Sequence, residues 1–181
     1  EEGEKLIFIR HAYAPGNGDP AGFNLNDCST QRNLSDDGRK QAQRIGEFFT
    51  KNKIEIDKVL SSEWCRCKET AKIAFKNFST NSFLNSFYSS QYAKNKEKQI
   101  AALNEYVKKF KSDKNLILMT HYVLISEVLN YGPSSGEIVV SDKNFNMIGS
   151  FKIDYWKIMS SKRAMKQAQK QAFAKHRSNI S

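Results

Sequence analysis

Leu6-Ile7-Phe8-Ile9-Arg10-His11-Ala12 is the stretch on which the fold turns. Four consecutive apolar residues, two of them β-branched, are too few for a helix and suit a strand buried on both faces. The run stops on Arg10 and His11. Gly16, Asn17, Gly18, Asp19 and Pro20 follow, so the strand empties into a loop. In an open α/β sheet, ligands bind outside the carboxyl ends of the strands. A cation and an imidazole side by side at such an end are either solvated strand-end charges or part of a site.

A second stretch decides between these. Leu116-Ile117-Leu118-Met119-Thr120-His121 repeats the design: an apolar run, one polar residue, a histidine, then a residue that can open a helix. The chain has three histidines, and two of them close apolar strands in this way. Two parallel strands ending in histidine bring both rings to one pocket.

The 181 residues fit one domain with a proper core. No apolar run approaches the roughly eighteen residues of a membrane span. A start at Glu1 rather than Met fits either a trimmed cytoplasmic chain or a mature, exported one. The net charge of +10 suggests a polyanion partner, but seven Lys or Arg and no acid fall in 155–181. That tail has helix-forming composition and only a thin apolar stripe of Met165, Ala168 and Ala172, which suits a solvated helix or a weak anionic-surface contact. His176 lies there among basic residues and is taken as incidental. A nucleic-acid module would interleave aromatics with Lys and Arg, and the tail has almost none past Trp156, so no nucleic-acid partner is expected.

Between these landmarks the pattern alternates. Ser35-Asp36-Asp37 starts a helix, with a capping hydroxyl and two carboxylates on the dipole, and Ala42, Ile45, Phe48 and Phe49 carry it to about Asn52. Lys58-Val59-Leu60 is a short strand ending in Ser61-Ser62. Trp64 to Lys76 is a helix with Arg66 in its first turn, either an exposed charge or an anion ligand at a helix N-terminus. Residues 78–96 have no clear period and suit a long loop or small insertion covering the site. Ile100, Leu103, Val107 and Phe110 mark a helix, and Leu124, Ile125, Val128 and Leu129 another after His121. Glu137–Ser141 and Phe145–Ile153 form a hairpin around Asp142-Lys143-Asn144. The fold class is α/β: a three-layer sandwich whose mostly parallel central sheet has an antiparallel edge.

Two histidines, Arg10, Arg66 and a helix N-terminus suit a phosphoryl group, because the guanidinium fork matches phosphate oxygens. Neighbouring arginines disfavour a charged imidazole and keep a ring nitrogen available for attack. There is no P-loop pattern and no carboxylate set for two metals, so metal-free chemistry without a cofactor is expected. Cys65 and Cys67 are too close together for an ordinary zinc hook. Cys28 bonded to Cys65 or to Cys67, and three buried free thiols, both stay open.

These residues resemble the histidine phosphatase superfamily, the fold of the cofactor-dependent phosphoglycerate mutases and many small phosphatases. Arg10-His11-Ala12 stands at its Arg-His-Gly, and Arg32-Asn33-Leu34-Ser35-Asp36-Asp37-Gly38 resembles the segment before its first helix. Ser62 to Ala71 resembles its S-x-x-x-R-x-x-x-T-A stretch, and Thr120-His121 its second histidine. The likeness spans about residues 5 to 153. It implies a phosphoglycerate-mutase-like domain over 1–154, with 155–181 as a basic helical tail. It also implies His11 as nucleophile, with Arg10, Arg66 and His121, joined by Asn17, binding phosphate.

Three departures bear on function. Ala12 replaces glycine, and Tyr122 replaces the glycine or aspartate that often follows the second histidine. Leu84-Asn85-Ser86 resembles the Leu-Asn-Glu whose glutamate is the mutases' proton donor, so Ser86 stands where that acid would be. Glu63, Asp19 and Glu137 are replacement candidates, Glu63 foremost. An alkoxide leaves badly without a proton, whereas imidazole or a phenolate leaves more easily. The expectation is a metal-independent phosphatase, resembling the small bacterial phosphohistidine phosphatases. Its substrate would be a phosphohistidine protein or a small phosphate ester with a good leaving group. The alternative is a catalytically idle member that binds phosphorylated ligands.

Overall fold

The computed structural model describes residues 5–153. A six-stranded sheet carries the architecture, in the order β3-β2-β4-β1-β5-β6. Its strands are β1 (Leu6–Arg10), β2 (Ile56–Ser61), β3 (Ser79–Thr80), β4 (Asn115–Thr120), β5 (Ile138–Ser141) and β6 (Met147–Phe151). The first four are parallel to one another, and β5 lies antiparallel to β1 and to β6. The sandwich and its antiparallel edge are those expected. The basic tail lies outside the described residues.

Alternation within the strands fills two layers, because successive side chains leave opposite faces of a sheet. Leu6, Phe8, Leu60, Leu116 and Leu118 pack with Leu103 and Val107 of α4 (Lys96–Lys109) and with Leu124 and Ile125 of α5 (Tyr122–Leu129). Ile7, Ile9, Val59, Ile117 and Met119 face the other way. They meet Ile45 and Phe49 of α1 (Asp36–Lys51) and Cys67 and Ala71 of α2 (Cys65–Phe75). Ser35 caps α1 as its sequence predicts, accepting from Gly38 N at 3.1 Å. A Cβ on Gly38 would stand 2.0 Å from the Tyr13 carbonyl, so only glycine lets the chain after His11 lie against this helix.

Residues 78–96 form a small structured insertion, the second of the two expected arrangements. They contribute β3 to the sheet edge, a 3₁₀ turn (Ser82–Leu84) and a single helical turn, α3 (Ser90–Ala93). Phe83, Leu84 and Phe87 are buried, so the segment is anchored in the core. Its buried aromatic residues, Phe83 and Phe87, follow no helix or strand period because the turns that carry them are short. Of the three cysteines, Cys28 and Cys65 form a disulfide, and Cys67 is a buried free thiol. The bridge ties the loop before α1 to the first turn of α2, next to Arg66.

Candidate active site

β1 and β4 are adjacent and in register, with Arg10 opposite Thr120. The residue that follows each is a histidine. The rings of His11 and His121 meet edge to face, with centroids 5.5 Å apart. Both rings are buried beneath a cavity of about 460 Å³. Arg10, Asn17, Asp19, Arg32, Arg66 and Tyr122 also line that cavity. The structure therefore gathers Arg10, His11, Asn17, Arg66 and His121 in one place. Glu63 does not line the cavity; its side chain accepts from Asn85 Nδ2 at 2.5 Å. Ser86 does line it.

His11 is held in one tautomer. Its Nδ1 is 2.8 Å from the Ala12 carbonyl, which can only accept, so the proton sits on Nδ1. Nε2 keeps a lone pair and accepts from Arg66 Nε at 3.3 Å. Burial, and then the charge of Arg66, push the His11 pKa well below the ordinary imidazole value, so the ring is neutral at neutral pH. The same two causes act on His121, with His11 adding to them.

Arg66 is buried, which rules out the exposed helix charge considered from the sequence. Its Nη1 and Nη2 fork onto Asp19 Oδ1 and Oδ2 at 2.7 and 3.2 Å, which leaves the Nε side of the guanidinium toward His11. Asp19 also accepts from Arg32 N and from Trp64 Nε1. Burial alone would raise the Asp19 pKa, but the Arg66 hydrogen bonds and charge hold it below the usual value. Asp19 is thus an ionised clamp on Arg66.

Arg10 donates from Nη1 to the Pro133 carbonyl at 2.8 Å and lies over the Tyr122 ring, 5.4 Å from its centroid. Its Nε is buried and has no hydrogen-bond partner among the described residues. An unpaired buried guanidinium donor is costly, and a bound anion would satisfy it. Glu137, another acid considered from sequence, is committed elsewhere: Tyr131 Oη donates to it at 2.6 Å and Ser134 N at 2.7 Å. Those contacts hold the turn that carries the Pro133 carbonyl.

Three lining residues had no assigned role at the level of sequence. Arg32 donates from Nε to the Gly18 carbonyl at 2.7 Å and from Nη1 to the Ala14 carbonyl, fastening the loop after His11. Its position in Arg-Asn-Leu-Ser was visible, but the direction of its side chain was not. Tyr88 and Tyr122 stand at the cavity, 68% and 45% exposed. Among the described residues, no group of three or more His, Cys, Asp or Glu side chains is arranged to hold a metal ion.

The fold recurs among solved structures. The protein histidine phosphatase SixA complexed with tungstate superposes with a TM-score of 0.55 at 15% identity, covering 84% of this chain and 99% of that one. TTHB049 from Thermus thermophilus gives 0.56 at 17% identity, covering 82% and 99%. The open reading frame Rv3214 of Mycobacterium tuberculosis gives 0.55 at 14% identity, covering 76% and 90%. No curated protein matches the chain. The family description "Histidine phosphatase superfamily (branch 1)" matches residues 6–115, which run from β1 through β2 and α2 to the start of β4. With that match over more than half its length, the chain belongs to the histidine phosphatase superfamily.

Proposed function

We propose that the protein is a metal-independent phosphatase working through a phosphohistidine on His11. Its substrate is a phosphohistidine protein or a small phosphate ester with a good leaving group. The observation that carries this reading is the state of His11: Nδ1–H is spent on the Ala12 carbonyl, and the Nε2 lone pair faces Arg66. A neutral, oriented imidazole beside fixed cations is an activated nucleophile.

In the first step Arg66 Nε transfers its hydrogen bond from Nε2 to a phosphoryl oxygen, and the freed Nε2 lone pair attacks phosphorus. The N–P bond forms as the bond to the leaving group breaks, and the leaving group takes the electron pair. Arg10 Nε, the Nε side of Arg66 and His121 surround the equatorial oxygens and stabilise their charge. Asn17 completes the ring of ligands from the loop. Water then attacks phosphorus, the N–P bond breaks back to neutral His11, and the water's proton passes to the departed base. SixA, with its bound tungstate, is a precedent within this fold for the phosphohistidine branch of the reading.

The leaving-group preference rests on what lines the cavity. Asp19 is its one carboxylate among the described residues, and that group is ionised on Arg66. Ser86 supplies only a hydroxyl. A departing alkoxide therefore goes unprotonated, which forfeits on the order of 10²–10⁴ in rate. Tyr88, Tyr122 and Phe23 line the cavity, aromatic neighbours for an aromatic leaving group.

The test is the rate of hydrolysis across a series of phosphates that runs from aryl to alkyl esters. We expect the rate to fall steeply as leaving-group pKa rises, the slope to flatten in Ser86→Glu, and chelator to leave the parent rate unchanged. A flat series in the parent enzyme, or a rate restored only by added divalent metal, would contradict this reading.

A further inference from the structure

We propose that Glu63 is a positioning residue for His121, acting through Asn85 and Ser62 rather than as the acid of the reaction. The inference rests on the reading of His121 as a phosphate ligand. Four groups form one chain: Glu63 Oε2 accepts from Asn85 Nδ2 at 2.5 Å, Ser62 Oγ donates to Asn85 Oδ1 at 3.1 Å, and Ser62 Oγ meets His121 Nε2 at 2.8 Å.

The hydrogen bonds along this chain fix the Asn85 amide and leave one proton to assign, that of Ser62. Asn85 Oδ1 also accepts from the Glu63 backbone N–H at 2.9 Å. Flipping the amide would set its NH₂ against that N–H and its oxygen against a carboxylate, so the orientation is fixed. In the proposed arrangement the one Ser62 proton goes to Asn85, so that towards His121 Ser62 accepts, as it also does from Trp64 N at 3.3 Å. That arrangement places the His121 proton on Nε2. The opposite arrangement, with Ser62 donating to His121, puts the ring proton on Nδ1. The neighbouring thiol agrees: Cys67 donates toward the Thr120 carbonyl at 3.6 Å, leaving its sulfur as an acceptor 3.4 Å from Nε2. Burial pushes the Cys67 pKa up to about 12, so the sulfur keeps its proton.

His121 thus keeps Nδ1 free; the ring is neutral without substrate, and the charge of an incoming phosphoryl group brings the second proton that makes Nδ1 a donor to one of its oxygens. The Glu63 carboxylate polarises the Asn85 amide, which strengthens Ser62 as an acceptor and favours that imidazolium; such chains reinforce bond by bond. The rest of the fold keeps the chain in register. Gln99 Nε2 donates to the Asn85 carbonyl at 2.9 Å, and Thr120 Oγ1 donates to the Leu84 carbonyl at 2.6 Å, next to His121. Asn85, Ser62 and His121 are all buried. Glu63, outside the cavity, has no path to a leaving group except through this chain.

Two measurements separate the roles. Ring ¹⁵N shifts of histidine-labelled protein, free of substrate, should show His121 protonated on Nε2. Ser62→Ala and Asn85→Leu should both shift it toward a tautomer mixture. This readout needs no turnover, so it stands or falls apart from the phosphatase reading. In kinetics, Glu63→Gln should lower kcat about tenfold, the difference between a charged and a neutral acceptor for Asn85. The loss should be equal for aryl and alkyl phosphates, with the alkaline limb of the pH profile, where the His121 imidazolium loses its proton, moved down and Glu63→Asp partly restoring it. A proton on Nδ1 in the parent protein would overturn the proposal. So would a Glu63→Gln loss that grows with leaving-group pKa, which marks a proton donor, or no loss at all.

Discussion

The ends of β1 and β4 are built alike and finish differently. Each strand is a buried apolar run closed by a polar residue and a histidine, and register sets the two rings side by side. Yet His11 spends its Nδ1 on the carbonyl of the next residue and points Nε2 at Arg66, whereas His121 spends Nε2 on Ser62 and keeps Nδ1. The backbone places an imidazole; the partner of its second nitrogen decides what the ring can do. In the mechanism we propose, one ring attacks and the other holds.

The sharpest way to break this contrast is to delete each ring in turn. His11→Ala should cost on the order of 10⁴–10⁶ in kcat on an aryl phosphate, the usual loss of a nucleophile. Vanadate binding should survive in that variant, since Arg10, Arg66 and His121 still surround the oxyanion. His121→Ala should cost less, about 10²–10³ in kcat, the scale of one lost transition-state donor. It should also weaken vanadate binding. Reversal of that order would exchange the two roles.

Titration compares the rings on equal terms, because both are buried and both pKa values are driven well below the ordinary value. Above the unfolded pKa near 6.5 both rings are neutral whether folded or not. As pH falls below it the unfolded chain binds protons that the folded chain refuses, so stability drops. Each histidine should contribute up to about 1.4 kcal/mol per pH unit until its lowered folded pKa is reached. Chemical denaturation of the substrate-free protein between pH 7 and 5 should show this slope. His11→Gln and His121→Gln should each remove a similar share, unless one ring is charged in the folded state.

Much of this was legible in the sequence. The two strand-end histidines, the Ser35 cap, the Arg66 helix start and the antiparallel hairpin all announce themselves through short-range pattern, and each is found in its expected element. The interior of 78–96 was not legible, because its helical turns are too short to show a period and its burial comes from single aromatic residues. The Asp19 clamp on Arg66 was hidden for another reason. It joins residues 47 positions apart through side chains, and no local spacing records such a contact. The same holds for Glu63 and Asn85, 22 positions apart. The disulfide pairing between Cys28 and Cys65, rather than Cys67, was set by which side of α2 faces the loop.

The asymmetry between the two rings is the central claim, and a trapping experiment reads it directly. The protein is mixed with a radiolabelled phosphoryl donor and quenched within the first turnover. The label is then tested for stability in acid and in base and located by peptide mapping. The account requires acid-labile, base-stable phosphate on the peptide that carries His11, and none on the peptide that carries His121. Label on His121, or turnover with no phosphohistidine at any time point, would contradict it.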